Sequence, residues 1–287
     1  MRKSEIRNPK SKICLTIAGL DPSGGAGIIA DIKTFSAFGC FAAAAVASLT
    51  FQNTTGVFGA VSQTAETIRR QIEPILQDYK ISALKTGMLP TREIIEEVAR
   101  IVKEYKLRNF VVDPVVRSTS GYDLIDDKAL RVLIEKLFPL STVITPNLPE
   151  AERIAQMKIE NADDIKKAAR IMQSYGAKNV LIKGGHLPIS DFGFRISDLE
   201  GEDRNPIAEV RKSIDFLFIG DDLQTFEADF IETEATHGTG CALSAAIAAN
   251  LANGKTLIDA VETAKRFVTE AIRTAPNLGR GHSPINI

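Results

Sequence analysis

The stretch ICLTIAGLDPSGGAGIIADIKTFSAF, Ile13 to Phe38, decides how the rest of the chain is read. Its first part, ICLTIA, is a short apolar, β-branched run; from Gly27 onward apolar residues recur at helical spacing, and Gly24, Gly25 and Gly27 sit at the joint. Glycines there let the backbone turn sharply and approach a ligand closely, so the unit reads as strand, tight loop, helix. Similar units recur downstream. Strands are expected at Ile13 to Ala18, Ala42 to Leu49, Ile81 to Lys85, Phe110 to Val112, Thr142 to Thr145 and Val180 to Lys183. Helices are expected at Gly27 to Phe38, Ala65 to Gln77, Arg92 to Tyr105, Asp126 to Leu137, Asp163 to Tyr175, Gly240 to Ala252 and Leu257 to Thr274. Such alternation predicts an α/β fold with a largely parallel sheet, and strands that are apolar throughout predict burial on both faces.

Between Leu187 and Glu234 the pattern changes to short extended pieces, FGFRIS and IDFLFIG, around the polar run DLEGEDRNPIAEVRKS, which is expected to be an antiparallel edge or a flap with a solvated loop. The absence of repeats and of any Pro/Gly/Ser-rich linker favours one domain, residues 13–287, after a flexible segment, residues 1–12. A chain of 287 residues can bury a large core without staples, and 35 Lys+Arg against 36 Asp+Glu give no electrostatic reason to expect a nucleic-acid partner. Cys14, Cys40 and Cys241 are too scattered for a disulfide framework or a zinc site. The longest apolar run, Phe41 to Leu49, is too short to span a bilayer, where a helix needs about 20 such residues. A cytoplasmic protein is expected.

Several motifs carry chemistry. Gly25-Ala26-Gly27-Ile28-Ile29-Ala30 satisfies the dinucleotide pattern GxGxxG/A, but that site also needs an acid about 20 residues on, and no Asp or Glu lies between Asp31 and Glu66. Gly254-Lys255-Thr256 ends like a P-loop, yet it follows a helix and Ala249 stands where the leading glycine belongs, so it reads as a helix stop. The strongest constellation is ATHGTGC, Ala235 to Cys241, directly before the helical LSAAIAANLANG. Gly238, Thr239 and Gly240 place unpaired N–H groups at a helix amino terminus, which favours an anion. Cys241 falls in the first turn, where the same field should lower its pKa and let it accept a proton from a substrate hydroxyl; the bland alternative is a small buried hydrophobe. His237 beside it reads most simply as a loop histidine bonded to nearby backbone. Three strand ends add charge: Glu150 in TPNLPE could hold Mg²⁺ through water or simply stabilise its helix, Lys183 in KGGH could neutralise phosphate or be solvated, and Asp113 in VVDP offers another carboxylate.

In this order the pieces AGLDPSGGAGIIADIKTF, FQNTTGV, KTGML, VVDPVV, TPNLPEA, IKGGH, THGTGCALSAAIAA and GRGHSPIN resemble the hydroxymethylpyrimidine/phosphomethylpyrimidine kinases of thiamin biosynthesis, from about Ile13 to Asn286. The resemblance implies a ribokinase-like three-layer sandwich, a mostly parallel central sheet flanked by helices. It also implies transfer of the γ-phosphoryl group of ATP, with Mg²⁺, to an aminopyrimidine alcohol and then to its monophosphate, in a homodimer with no nucleic-acid or membrane partner. By position, Gly19, Asp21, Asp31, Gln52, Met88 and Val115 match the pyrimidine pocket, and Cys241 the base. Asn147, Lys183, His237 and Thr239 match the nucleotide contacts, Glu150 and Asp113 the metal carboxylates, and Gly238 to Gly240 the anion hole. Where the family has a lysine before Ser-Gly this chain has Thr119, so Arg117 is expected to take over its phosphate contact. Rivals are a pyridoxal or pyridoxine kinase on the same fold, or a catalytically silent pyrimidine-binding regulator.

Overall fold

The computed structural model describes residues 12–118, 121–184 and 212–287. Strand β1 (Ile13–Leu20) runs through the glycine loop into helix α1 (Gly27–Ala37), as the opening stretch requires. There follow β2 (Phe41–Asn53), β3 (Gly56–Ser62), α2 (Ala65–Asp78), β4 (Ile81–Thr86), α3 (Arg92–Glu104), β5 (Phe110–Val112) and α4 (Asp127–Leu137). The second half contributes β6 (Val143–Ile144), α5 (Leu148–Ala155), α6 (Ala162–Ser174), β7 (Asn179–Lys183), β8 (Lys212–Ile219), β9 (Asp222–Asp229), α7 (Thr239–Ala252) and α8 (Leu257–Arg273).

The strands form one sheet in the order β3-β2-β1-β4-β5-β6-β7-β8-β9. From β2 to β7 neighbours pair in parallel; β3, β8 and β9 are added antiparallel at the two edges. Helices α2 to α6 cover one face, burying Ile68, Ile94, Leu130, Ile154 and Ile165 against Leu15, Leu84 and Ile182. Helices α1, α7 and α8 cover the other, with Phe35, Ile247 and Val261 against Cys14, Val111 and Leu181. The result is the mostly parallel, three-layer α/β architecture expected from the sequence. Strand order reverses between β1 and β4, and in open α/β sheets the crevice beyond the carboxyl ends at such a point receives ligands.

Helix starts differ in how their first-turn N–H groups are satisfied. Thr64, Thr91, Asp126, Asn147, Asn161 and Thr256 each cap a helix by accepting a backbone N–H three residues on. By contrast α1 and α7 begin at Ala26 and Gly238 with no side-chain cap. Their first-turn N–H groups are left for something else.

Departures from expectation have local causes. Strand β2 continues past Leu49 to Asn53 because it pairs with β3, a strand obscured in the sequence by glycines and the polar turn Asn53-Thr54-Thr55-Gly56. Helix α5 is only eight residues long, too short to stand out by periodicity. IDFLFIG becomes β8, paired with β9 at the sheet edge, as one of the two readings of that region anticipated. The readings on residues 1–11, Thr119, His186 and FGFRIS lie outside the described residues.

Candidate active site

A cavity of about 1070 Å³ runs along the carboxyl ends of the parallel strands. Into it open Gly19 and Asp21 after β1, Gln52 near the end of β2, Met88 after β4 and Val115 after β5. Asn147 and Glu150 after β6, Lys183 at the end of β7, and His237 to Cys241 at the start of α7 complete the wall. Residues scattered from Gly19 to Cys241 thus share one lining because parallel strands all end on the same side.

The tip of α7 is its electrostatic focus. Gly238, in the left-handed region at φ 87°, turns the chain into the helix, and any side chain there would collide with the Gly25 carbonyl. The Thr239 N–H is used internally by the Thr236 carbonyl, and the helix ladder begins with Ala242 N–H on Gly238 O at 2.9 Å. The N–H groups of Gly240 and Cys241 have no acceptor among the described residues. Unpaired N–H groups at an unbalanced dipole end hold anions. A methyl group at Gly240 would stand 3.2 Å from Lys183 Nζ, so the buried ammonium lies at the helix tip.

Lys183 Nζ is held 2.9 Å from Asp113 Oδ1, which also accepts from Thr145 Oγ1 at 3.2 Å, while Asp113 Oδ2 accepts from Ser244 Oγ of α7 at 3.3 Å. Burial opposes the Lys183 charge, but Asp113 and Glu150 push its pKa up, so the ammonium is retained. Glu150 completes a capping box with Asn147: each side chain accepts the other's backbone N–H at 2.8 Å. Its second oxygen accepts from Val116 N–H at 3.2 Å, tying the loop after β5 to α5. Burial and Asp113 raise its pKa to about 7 against the opposing pull of Lys183 and the two N–H groups. Glu150 therefore does stabilise its helix, as one sequence reading held. Among the described residues no three His, Cys, Asp or Glu side chains converge as a metal cage. Mg²⁺ ordinarily takes one or two carboxylates plus substrate phosphates, and two buried carboxylates sharing one lysine fit that demand.

Two expectations are corrected. Asp31 does not reach the cavity: it is fully buried on α1, with both oxygens 2.9 Å from Lys85 Nζ and Oδ2 taking Thr16 Oγ1 at 2.6 Å. Lys85 is the member of the pair that lines the cavity, and the sequence reading assigned it no role. A charged residue closing the otherwise apolar strand ISALK was the available signal. Second, the Cys241 thiol is not lowered by the helix field. Burial raises it to about 11, helped by Asp31 and Asp113, and Lys85 and the Gly27 N–H offset only part of this.

Asp21 and His237 act through each other. Asp21 Oδ1 accepts from Ser23 N–H and Oγ, and Oδ2 accepts from Ala26 N–H at 2.9 Å and meets His237 Nε2 at 2.7 Å. Burial alone would push the Asp21 carboxyl up, but His237 and Ser23 hold it at about 2. The pair clamps the glycine loop of β1–α1 to the loop before α7.

An uncapped helix tip with free N–H groups beside a lysine and paired carboxylates, at the ends of parallel strands, suits a phosphotransferase of the ribokinase-like class. Residues 21–286 match the family model described as phosphomethylpyrimidine kinase, and the chain belongs to that family. It is 42% identical over 272 residues to the hydroxymethylpyrimidine/phosphomethylpyrimidine kinase of Bacillus subtilis (strain 168), covering 95% of this chain and 93% of the relative. The crystal structure of phosphomethylpyrimidine kinase from Clostridium difficile 630 superposes with a TM-score of 0.74 at 39% identity, over 91% of this chain and all (100%) of that one. An ADP complex of Bacillus subtilis pyridoxal kinase superposes with a TM-score of 0.81 at 35% identity, over 96% of this chain and 97% of that one.

Three outcomes are expected. Gly240→Ala keeps the N–H but sets a methyl group 3.2 Å from Lys183 Nζ, where the phosphate is to sit, and is expected to lower kcat/KM for the phosphoryl donor by about 10² through misplacement; unchanged kinetics would contradict the helix-tip site. Asp31→Asn strands the Lys85 charge and costs about 3–5 kcal/mol in urea unfolding, whereas Asp31→Leu combined with Lys85→Met recovers most of it. Cys241 is alkylated slowly by iodoacetamide at pH 7 and faster as pH rises toward its raised pKa; rapid labelling at neutral pH would show a thiolate instead.

Proposed function

We propose that this chain transfers the γ-phosphoryl group of ATP to the hydroxymethyl oxygen of 4-amino-5-hydroxymethyl-2-methylpyrimidine, and then phosphorylates the monophosphate, in thiamin biosynthesis. Family membership supports the reaction class. The observation that carries the chemistry is the convergence of the free Gly240 and Cys241 N–H groups with the Lys183 ammonium. Phosphoryl transfer needs little covalent help from a protein; it needs in-line positioning and neutralisation of charge on the moving group.

In this reading Gln52 and Met88 hold the ring, an amide being able to donate to and accept from an aminopyrimidine edge at once. Gly19 leaves room for it, since a methyl group there would stand 3.0 Å from Met88 Sδ. The α7 tip and Lys183 hold the transferred phosphoryl group, and Asn147 and Thr239 border the nucleotide phosphates. Asp113 and Glu150 would hold Mg²⁺, which when bound with ATP supplies charge neutralisation at the phosphates. Cys241 takes the proton of the alcohol, with the retained Lys85 ammonium as the nearby charge that favours its thiolate. The active unit is residues 13–287 as one domain, paired as a homodimer in the cytoplasm. A second reading, phosphorylation of a vitamin B6 alcohol, is favoured by the closer superposition on the pyridoxal kinase.

Purified protein with ATP, Mg²⁺ and the aminopyrimidine alcohol is expected to release ADP and form first the mono- and then the diphosphate. No ADP would reject the kinase reading in favour of a silent binding protein, and a higher kcat/KM for pyridoxal would select the second reading. Because the base works deprotonated and the free thiol titrates near 11, kcat/KM should rise about tenfold per pH unit through the neutral and mildly alkaline range. Cys241→Ala should flatten that rise and lower kcat by about 10²–10⁴. A pH-independent wild type would remove Cys241 from the base role.

A further inference from the structure

A third buried ion pair lies one strand beyond Lys183 and has no part in the chemistry described so far. Asp215 on β8 is 2% exposed and Lys265 on α8 is 7% exposed. Lys265 Nζ lies 2.9 Å from Asp215 Oδ2 and donates to Ser213 Oγ at 3.0 Å. The other carboxylate oxygen, Asp215 Oδ1, accepts the Gly184 N–H at 3.0 Å. Burying two charges carries a desolvation cost that an apolar pair would avoid, so the pair calls for a role other than stability.

The register supplies one. In the antiparallel β7–β8 ladder Lys183 and Asp215 are directly opposite, so their side chains leave the sheet on the same face. That is the face covered by α7 and α8, where the flanking Leu181 and Leu217 also pack. Lys183 nevertheless reaches Asp113, just past the end of β5 two strands away, and the tip of α7. An unpaired carboxylate directly opposite would compete for its ammonium; Lys265 occupies that carboxylate instead. At the same time Asp215 fixes the peptide that follows Lys183, at a corner where a side chain on Gly184 would collide with the Ile214 carbonyl.

We infer that Asp215 and Lys265 are positioning residues for the phosphate-facing Lys183: Asp215 anchors the Lys183–Gly184 corner through the Gly184 N–H, and Lys265 holds the Asp215 charge so that the Lys183 ammonium stays on Asp113 at the α7 tip. This rests on the kinase reading, because it assigns Lys183 to the nucleotide. Both border the same cavity, but their hydrogen bonds run to Gly184, to Ser213 and to each other, not to the α7 tip. Their influence falls on the nucleotide side of the reaction and passes through Lys183.

Steady-state kinetics with ATP and the aminopyrimidine alcohol, run beside thermal unfolding, tests it. Lys265→Met is expected to lower kcat/KM for ATP by about 10- to 100-fold, the usual cost of losing a partner that orients a functional group, with KM for the alcohol changed less than about twofold. Adding Asp215→Asn, which removes the competing charge and keeps an oxygen for Gly184, recovers most of that loss. In a Lys183→Met background, Lys265→Met has no further effect, because the residue it acts through is gone. Should Lys265→Met not fold, Asp215→Ala with Lys265→Met, which leaves no buried charge and removes only the Gly184 acceptor, must show the same ATP-side loss. A lowered Tm with kcat/KM for ATP intact, a loss shared equally by both substrates, or a loss that adds to that of Lys183→Met overturns the inference. Absence of ADP production by the wild type would instead overturn the kinase reading itself.

Discussion

The free amino terminus of α7 is the feature on which the rest of the site depends. Most helices in this fold satisfy their first turn with a Ser/Thr/Asx-type cap, which is the cheapest way to pair otherwise orphaned N–H groups. At α7 a glycine in the left-handed region takes the cap position, and the first-turn N–H groups of Gly240 and Cys241 remain open toward a cavity rather than toward bulk water. The helix behind them is buried nearly all round, with Ala242 to Ala252 packed against the sheet and α8, so the tip cannot relax to find another partner. Rigidity is supplied by small side chains that let α7 sit deep, and openness by the absence of a cap.

Around that tip the interior is charged in a controlled way. Lys85 is matched by Asp31, Lys183 by Asp113, and Lys265 by Asp215, each at 2.9 Å, and Glu150 stands as a further buried carboxylate near Lys183 and Asp113. These carboxylates outnumber the ammoniums beside them, and Glu150, raised to about 7 chiefly by its burial, is raised further by Asp113. In the proposed reaction a divalent cation would relieve both the excess carboxylate charge and that of the nucleotide phosphates. The Asp21–His237 pair plays a different part: with every Asp21 lone pair engaged, it joins the two glycine loops that flank the cavity and keeps them in register.

Much of this was legible in the sequence. Strand and helix positions followed from periodicity because the strands are apolar throughout and most helices carry caps and amphipathic faces. GTGC and KGGH announced themselves because glycines at strand and helix ends have few other uses. Three things were hidden for physical reasons. The hairpin strand β3 carries exposed Phe58 and Val61 beside glycines, so neither periodicity shows through. The direction of the Cys241 pKa depends on how deeply the sulfur is enclosed and on Asp31 and Asp113, which come from β5 and α1 and cannot be placed near it by spacing. The exchange of roles between Asp31 and Lys85 is of the same kind: both lie in recognisable motifs, but only the packing of α1 on β4 decides which faces the cavity and which stands behind it.

The account stands or falls on where the transferred phosphate sits. A crystal structure with a non-hydrolysable ATP analogue and the aminopyrimidine alcohol should place a terminal phosphate oxygen about 2.7–3.1 Å from the Gly240 and Cys241 N–H nitrogens, with the Lys183 ammonium on the same phosphate. A nucleotide whose phosphates lie away from the α7 tip, leaving those N–H groups to water, would contradict it.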